Sequence, residues 1–221
     1  MNFENLMRQR YSARAFLSET VPPGILRHIL DVAQKTPSWC NTQPWEVVLT
    51  ESIEATEALR QRLYRHAKSG APGNPDKPFP REYVGAHDDR RKACGAALYE
   101  ALNIARDDRQ ARNEQMLQNY ALFGAPHCML VFCHESLGFY GGVDCGLYLQ
   151  SFMLAALDQG VHSIPQASLA AYPDLIREHF GVPADRHLLF GCSFGYADDR
   201  HHVNRYRTDR AGIADAVRFV R

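Results

Sequence analysis

The 221-residue chain lacks several features that define particular classes of protein. It contains no run of about 18 consecutive apolar residues, so a membrane-spanning helix is not expected. Lys and Arg number 25, and Asp and Glu also number 25, so no net positive field attracts nucleic acid or an anionic membrane. The sequence therefore predicts a protein without nucleic-acid or membrane partners.

Disulfide and secretion signals are also missing. The six cysteines form no CxxC pair and no dense framework. Secreted domains concentrate disulfides, whereas cytosolic proteins keep their thiols reduced. The first residues show no basic stretch followed by an apolar segment, which a secretory signal requires. We therefore expect a cytoplasmic protein with reduced, mostly buried cysteines.

Sequence motifs for nucleotides and metals are absent as well. Neither GxGxxG nor GxxxxGK[ST] occurs, and no HExxH or Cys/His set has the spacing of metal ligands. His201 and His202 are neighbours in the sequence, which is a poor geometry for shared ligation. No metal site is predicted, and a bound nucleotide needs a different kind of anion site.

The segment Gly191-Cys192-Ser193-Phe194-Gly195 matches the GxSxG motif of serine hydrolases. A strand-like segment precedes it, as that role requires. The polar residues after it do not open a helix, and too few follow to supply the rest of a triad. A serine hydrolase using Ser193 is therefore a minor alternative, and we interpret the two glycines as a tight turn at a strand end.

The pattern of apolar residues predicts a mixed α and β fold in one domain. Apolar residues make up 45% of the chain, enough for a hydrophobic core. Residues 142–158 are apolar on nearly all sides, which predicts a central buried helix. Residues 217–220 are a possible strand. Residues 69–118 are first rich in proline and glycine and then charged, and we interpret them as a peripheral excursion or lid.

The best candidate for an anion site is the run Arg10-x-Ser12-x-Arg14. Two guanidinium groups and a hydroxyl at alternating positions project from one side of an extended segment. Guanidinium groups bind phosphate oxygens in a bidentate way. A second basic cluster near the other end is a candidate to complete the site: Arg205, Arg207 and Arg210. A solvated basic turn and a charged tail are the alternative interpretations.

Several segments, taken together and in order, resemble the nitroreductase family of FMN enzymes, with nitrobenzoate reductases as the nearest subgroup. Each segment is weak alone, but their order and spacing across nearly the whole chain are specific. The segments are RYSARAF at 10–16, PSWCNTQPW at 37–45, GAP at 124–126, DCG at 144–146, IPQA at 164–167, GCSFGY at 191–196, and the pair Asn204 and Arg210.

This resemblance implies a fold and an assembly. The implied fold is an α+β sandwich around a mixed, mainly antiparallel sheet flanked by helices, formed as a single domain by residues 1–221. The implied assembly is an interlocked homodimer with FMN in each of two sites between the subunits. Residues 205–221 would contact the FMN phosphate and wrap over the partner as an added strand.

The resemblance also implies which residues bind FMN. Those at the phosphate, the ribityl chain and the flavin edge are Arg10, Ser12, Arg14, Arg207 and Arg210. Those that reach the flavin of the partner subunit are Pro37, Ser38, Trp39 and Asn41. Those along the flavin ring, with a backbone N–H directed at N5, are Pro165, Gln166, Ala167 and Ser168. No catalytic side chain is expected, because the flavin N5 carries the hydride.

The implied activity is that of an FMN-dependent NAD(P)H oxidoreductase with ping-pong kinetics. The expected acceptors are nitroaromatics, nitrobenzoate among them, or quinones, and the sequence does not choose between NADH and NADPH. Tyr83 and Tyr99 in the excursion are candidates for the rim of the acceptor site. The alternatives on the same scaffold are a reductive dehalogenase, an ene-reductase, a flavin-destroying enzyme and a flavin-binding protein without turnover.

Overall fold

Seven helices and four strands account for most of the secondary structure in the computed structural model, which describes residues 2–221. The helices are α1 (Phe3–Gln9), α2 (Pro23–Ala33), α3 (Ile53–Lys68), α4 (Ala86–Ala101), α5 (Arg109–Leu117), α6 (Gly138–Asp158) and α7 (Pro173–Phe180). The strands are β1 (Trp45–Leu49), β2 (His127–His134), β3 (His162–Gln166) and β4 (Arg186–Gly195).

The strands form one antiparallel sheet in the order β1–β2–β4–β3. The central strand β2 is apolar on both faces and therefore serves two cores. Met129 and Val131 pack on the side of α2 and α6, whereas Leu130 and Phe132 pack on the side of α3 and α7. This arrangement confirms the predicted α+β class and the mainly antiparallel sheet. The one parallel pairing within residues 2–221 is an isolated bridge between Ser12 and Ser163.

Local sequence signals explain where the helices begin and end. Pro23 opens α2, where its missing N–H removes no hydrogen bond. Ser52 caps α3 by accepting a hydrogen bond from the Ala55 N–H at 3.2 Å. Gly181 ends α7 in the left-handed conformation, with φ of 67°.

Strand β4 continues through the GxSxG segment, which corrects the prediction of a turn there. Gly191 and Gly195 both lie inside the strand and have negative φ. A Cβ atom at Gly195 would lie 2.6 Å from Cδ of Pro126, and one at Gly191 would clash with Cδ1 of Leu169. Glycine is required here because neighbouring segments approach the strand closely, not because the chain reverses.

Two further predictions are corrected. Helix α6 buries one side, including Cys145 and Phe152, but leaves Val143 44% and Leu147 46% exposed, so residues 142–158 are not buried all round. Residues 217–220 form no strand in the single chain, and all of them are exposed. Both segments are apolar, and the apolar pattern alone does not say whether a surface is covered by the same chain.

The excursion at 69–118 consists of two parts that differ in how they are held. The first part is attached to the body, because Asn74 N–H donates to the Ala171 carbonyl at 2.9 Å and Asp76 accepts from Arg177 at 2.6 Å. Asp76 also accepts from the Leu188 N–H at 2.8 Å. In the second part, α4 buries none of its residues.

His127, the first residue of β2, joins that strand to the segments that contain Val21 and Thr50. Its Nε2 accepts a hydrogen bond from the Val21 N–H, and its Nδ1 donates to the Thr50 carbonyl, both at 2.9 Å. The ring also stacks on Phe194 at 5.2 Å. Burial lowers the pKa of His127 below its usual value, and the acceptor role of Nε2 requires the neutral ring.

The stability of the protein should therefore depend on the protonation of His127. The unfolded chain binds a proton at His127 more tightly than the folded chain does. The stabilisation from the neutral, hydrogen-bonded ring is therefore complete above the unfolded pKa of about 6.5 and is lost as pH falls toward the folded pKa. The slope contributed by this group is at most about 1.4 kcal/mol per pH unit. Urea unfolding of His127→Gln and the parent chain between about pH 5 and 7.5 measures the difference. If the free energy of unfolding changed with pH by the same amount in the variant and the parent, this role of His127 would be contradicted.

Candidate functional site: an arginine-lined cavity

A cavity of about 380 Å³ brings together the two basic segments from opposite ends of the chain. We call it the arginine cavity. It lies between the segment that follows α1, the tail at 206–210 and Cys94 of α4. The predicted ligand-binding residues that line it are Arg10, Ser12, Arg14, Arg207 and Arg210. Their joint position agrees with the anion site inferred from spacing, and binding of FMN by them stays a prediction.

Asn204 holds the two segments together. Its Oδ1 accepts a hydrogen bond from the Arg14 N–H at 2.8 Å, and its Nδ2 donates to the carbonyls of Ala15 at 2.8 Å and Asp198 at 3.0 Å. The side chain is buried, so these bonds do not compete with water. The Ala13 N–H adds a bond to the Ser163 carbonyl at 3.1 Å, which fixes the segment against β3.

Four of the five arginines that line the cavity have no carboxylate partner among residues 2–221, whereas the fifth, Arg8, pairs with Glu4 at 2.8 Å. Within residues 2–221, Arg14, Arg207 and Arg210 donate to backbone or hydroxyl oxygens of their own segments, and none forms an ion pair. Burial, and then the positive charge of Arg210, lowers the pKa of Arg10. Several cations held together without counter-charges favour an anionic ligand, and phosphate matches the guanidinium fork.

Two tyrosines line the same cavity and were not predicted. The Arg207 guanidinium lies 3.8 Å from the ring centre of Tyr11, and that of Arg14 lies 5.6 Å from the ring centre of Tyr206. The Tyr206 hydroxyl is buried without a partner among the described residues, and burial raises its pKa. It is a neutral donor available to a ligand. Each tyrosine adjoins a predicted arginine in sequence, which is the signal that could have revealed it.

The loop between α2 and β1 lies outside the arginine cavity, together with its predicted residues Pro37, Ser38, Trp39 and Asn41. Its tight conformation includes positive φ at Cys40 and Asn41. The Trp39 N–H donates to Oδ2 of Asp144 at 3.0 Å, and the indole packs edge-on against Tyr140. The contact that the resemblance implies between this loop and the flavin of a partner subunit stays a prediction.

The residues at the end of β3, namely Pro165, Gln166, Ala167 and Ser168, also do not line the cavity. Gln166 is buried, with its Oε1 accepting from the Ser193 hydroxyl at 2.5 Å and its Nε2 donating to the Asn119 carbonyl at 2.8 Å. Ser168 donates to the Asn119 side chain at 3.1 Å. The Gln166 side chain therefore joins β3 to β4, and contact of this segment with a flavin stays a prediction.

Tyr83 and Tyr99 lie elsewhere on the excursion. Tyr83 is exposed beneath the Arg91 guanidinium at 5.4 Å, and Tyr99 packs under that of Arg112 at 4.4 Å. Neither lines the arginine cavity, and their role at an acceptor site stays a prediction.

Among residues 2–221, no cluster of three or more His, Cys, Asp or Glu side chains is placed to hold a metal. None of the helices described has the length and apolarity needed to span a bilayer.

The fold and the cavity together define an α+β protein with a cationic cavity, and comparisons with known proteins identify its family. Residues 7–196 match the Nitroreductase family. Nitroreductase NfnB of Mycolicibacterium smegmatis is 36% identical over 220 residues, which are 99% of this chain and 92% of that protein. A 4-nitrobenzoate reductase of Pseudomonas putida is 30% identical over 220 residues, covering 99% and 96%.

A solved structure agrees with these relatives. The crystal structure of the FMN-dependent nitroreductase NfnB from Mycobacterium smegmatis in complex with NADPH matches with a TM-score of 0.93 at 37% identity, covering 99% of this chain and 97% of that one. The chain belongs to the nitroreductase family. This confirms the family and the fold that the resemblance implied.

Ser193 should contribute to stability and not to hydrolysis. It is fully buried, and its hydroxyl donates to Gln166 with no imidazole among its hydrogen-bond partners. In Ser193→Ala, the buried Gln166 oxygen loses this partner, so the free energy of unfolding should fall by about 1–3 kcal/mol. Thermal unfolding measures the loss, and an assay with p-nitrophenyl acetate should detect no serine esterase in either protein. Esterase activity that disappears in the variant would contradict this assignment.

Proposed function

We propose that this protein is an FMN-dependent NAD(P)H oxidoreductase that reduces nitroaromatic compounds. The observation that carries the proposal is the arginine cavity, where Arg10, Arg14, Arg207 and Arg210 converge without carboxylate partners. The relatives support the same function, because one is named for FMN and bound to NADPH and another is named for 4-nitrobenzoate. The proposed location is the cytoplasm, where the six free cysteines stay reduced.

The residues in the cavity fit a phosphate-bearing flavin. Arg10, Arg207 and Arg210 offer bidentate donors to a phosphate dianion, and the hydroxyls of Ser12 and Tyr206 offer further donors to phosphate or ribityl oxygens. The rings against which the guanidinium groups pack keep those groups oriented. The donor set matches the ligand in both charge and hydrogen-bonding capacity.

When bound, FMN supplies the redox chemistry, accepting a hydride from NAD(P)H and delivering two electrons to the acceptor. The chain binds and orients the flavin, and Arg14 supplies positive charge that favours its anionic reduced form. Tyr206 remains a neutral donor near neutral pH because burial raises its pKa. The residues of this cavity are therefore assigned to binding and electrostatic stabilisation.

We also propose that the site is completed in a homodimer. Phe139 of α6 is 78% exposed beside the exposed rings of Trp39 and Tyr140. The tail adds Phe219 and Val220, which are 75% and 86% exposed. Contiguous apolar surface of this kind marks a protein interface. A second chain that covered it would also supply the loop at 37–41, which lies outside its own cavity.

The purified protein should contain FMN that is released by denaturation. Its visible absorption should be bleached anaerobically by NADPH and restored by 4-nitrobenzoate. Arg10→Gln and Arg207→Gln should each weaken FMN binding by about tenfold or more, because each removes a charge-assisted hydrogen bond worth about 1.5–3 kcal/mol. Arg109→Gln, an exposed arginine outside the cavity, is the matched control and should retain the parental affinity. A colourless protein that fails to take up added FMN would overturn the proposal.

The tail should stabilise the dimer. Deletion of residues 212–221 removes the exposed apolar side chains of Phe219 and Val220 and should shift the protein toward monomers, as measured by sedimentation velocity. The double variant Phe219→Ser and Val220→Ser should reproduce the shift, whereas Arg221→Ser should not. A deletion variant with the parental dimer mass would show that the tail has no part in assembly.

A further inference from the structure

A second and larger cavity opens beside the arginine cavity. It has a volume of about 830 Å³ and lies between α4 and the tail at 207–215, and we call it the α4 cavity. Four residues line both cavities: Cys94, Arg207, Thr208 and Arg210. The two are therefore adjoining compartments of one cleft, so ligands bound in each would be neighbours.

The sequence of α4 keeps this space open. Its sixteen residues include no buried side chain, so the helix forms a wall instead of filling a core. Arg90, Ala93, Cys94 and Ala97 recur at helical spacing and line the α4 cavity, whereas Lys92 lines a different cavity on the other side of the helix. Small side chains at 93 and 97 leave volume that larger apolar residues would occupy.

The lining of the α4 cavity offers both cations and anions. Arg90 adds a guanidinium to those of Arg207 and Arg210, and within residues 2–221 it forms no ion pair. Asp209 and Asp215 add carboxylates, and Asp215 accepts only the Gly212 N–H, at 3.0 Å. A nucleoside phosphate carries the complementary groups, with phosphate oxygens as acceptors and ribose hydroxyls and an exocyclic amine as donors.

We propose that the α4 cavity binds the adenosine half of NADPH and that Arg90 recognises its 2′-phosphate. The inference rests on the proposed function, in which NAD(P)H is the reductant and the FMN phosphate occupies Arg207 and Arg210. Arg90 is then the guanidinium left to pair with a second phosphate. The volume of about 830 Å³ lies in the range of pockets that hold drug-sized ligands, and a nucleoside is a ligand of that size. Arg90 therefore determines the preference for NADPH over NADH.

Steady-state kinetics of the FMN-loaded enzyme test the role of Arg90. Arg90→Gln should raise KM for NADPH by about tenfold, equivalent to about 1.4 kcal/mol, and leave KM for NADH within about twofold. Lys92→Gln removes the same charge on the opposite side of α4 and should leave both values near those of the parent. Ala97→Leu fills the cavity without changing its charge and should raise KM for both nucleotides.

Alkylation of Cys94 provides a readout that does not depend on turnover. Cys94 lines the α4 cavity and is exposed. In the holoenzyme, NADP⁺ and adenosine 2′-monophosphate should slow the reaction of Cys94 with iodoacetamide, whereas adenosine 5′-monophosphate should slow it much less. This protection should be lost in Arg90→Gln and retained in Lys92→Gln.

The outcomes separate this inference from the proposed function. If FMN binds and NADPH is oxidised, but Arg90→Gln and Ala97→Leu behave like Lys92→Gln, the inference is overturned and the proposed function stands. A rise in KM for 4-nitrobenzoate instead of NADPH in Arg90→Gln would also overturn it, by assigning the cavity to the acceptor. A parent protein that neither binds FMN nor is reduced by NADPH would overturn the proposed function itself.

Discussion

The buried side chain of Asn204 is the interaction on which the site depends. Its hydrogen bonds to Arg14, Ala15 and Asp198 join the segment after α1 to the tail, although these lie near opposite ends of the chain. Backbone hydrogen bonds from Leu17 to Tyr196 at 2.8 Å and from Asp198 to Ala15 at 3.0 Å hold the same two segments together. Because a buried amide left without partners costs about 1–3 kcal/mol, the three bonds of Asn204 also oppose local opening of the tail.

The cluster of arginines that results is unfavourable by itself. Burial, and then the charge of Arg210, lowers the pKa of Arg10, and the second cause means that the protonated forms of the two groups repel each other. An anionic cofactor removes this repulsion, so FMN binding and stability should be coupled through the same residues. Beside that site, α4 keeps a second compartment open, and the exposed apolar faces of α6 and the tail are the surfaces proposed for contact with a second chain. In that proposal, one protomer contains an incomplete site whose arginines already favour an anionic ligand.

Most of the fold could be predicted because local signals agreed with tertiary packing. The apolar run of β2 and the proline and glycine at the two ends of α7 all indicate the elements that form. The predictions that the structure corrected, for the end of β4, for α6 and for residues 217–220, were wrong for one shared physical reason. The glycines in β4 permit close packing against Pro126 and Leu169, and the apolar residues of α6 and 217–220 face outward. A sequence pattern records that a position is small or apolar, but not which surface approaches it.

The sequence by itself determined the chemistry of this protein: paired guanidinium groups around Ser12 and in the tail specify an anion site, and the motifs along the chain specify the family. Only the tertiary structure decided how that chemistry is assembled. It joined the two basic segments through Asn204, added Tyr206 to the cavity and committed Gln166 and Ser193 to the interior. These outcomes depend on contacts between residues far apart in the chain, which local patterns do not contain.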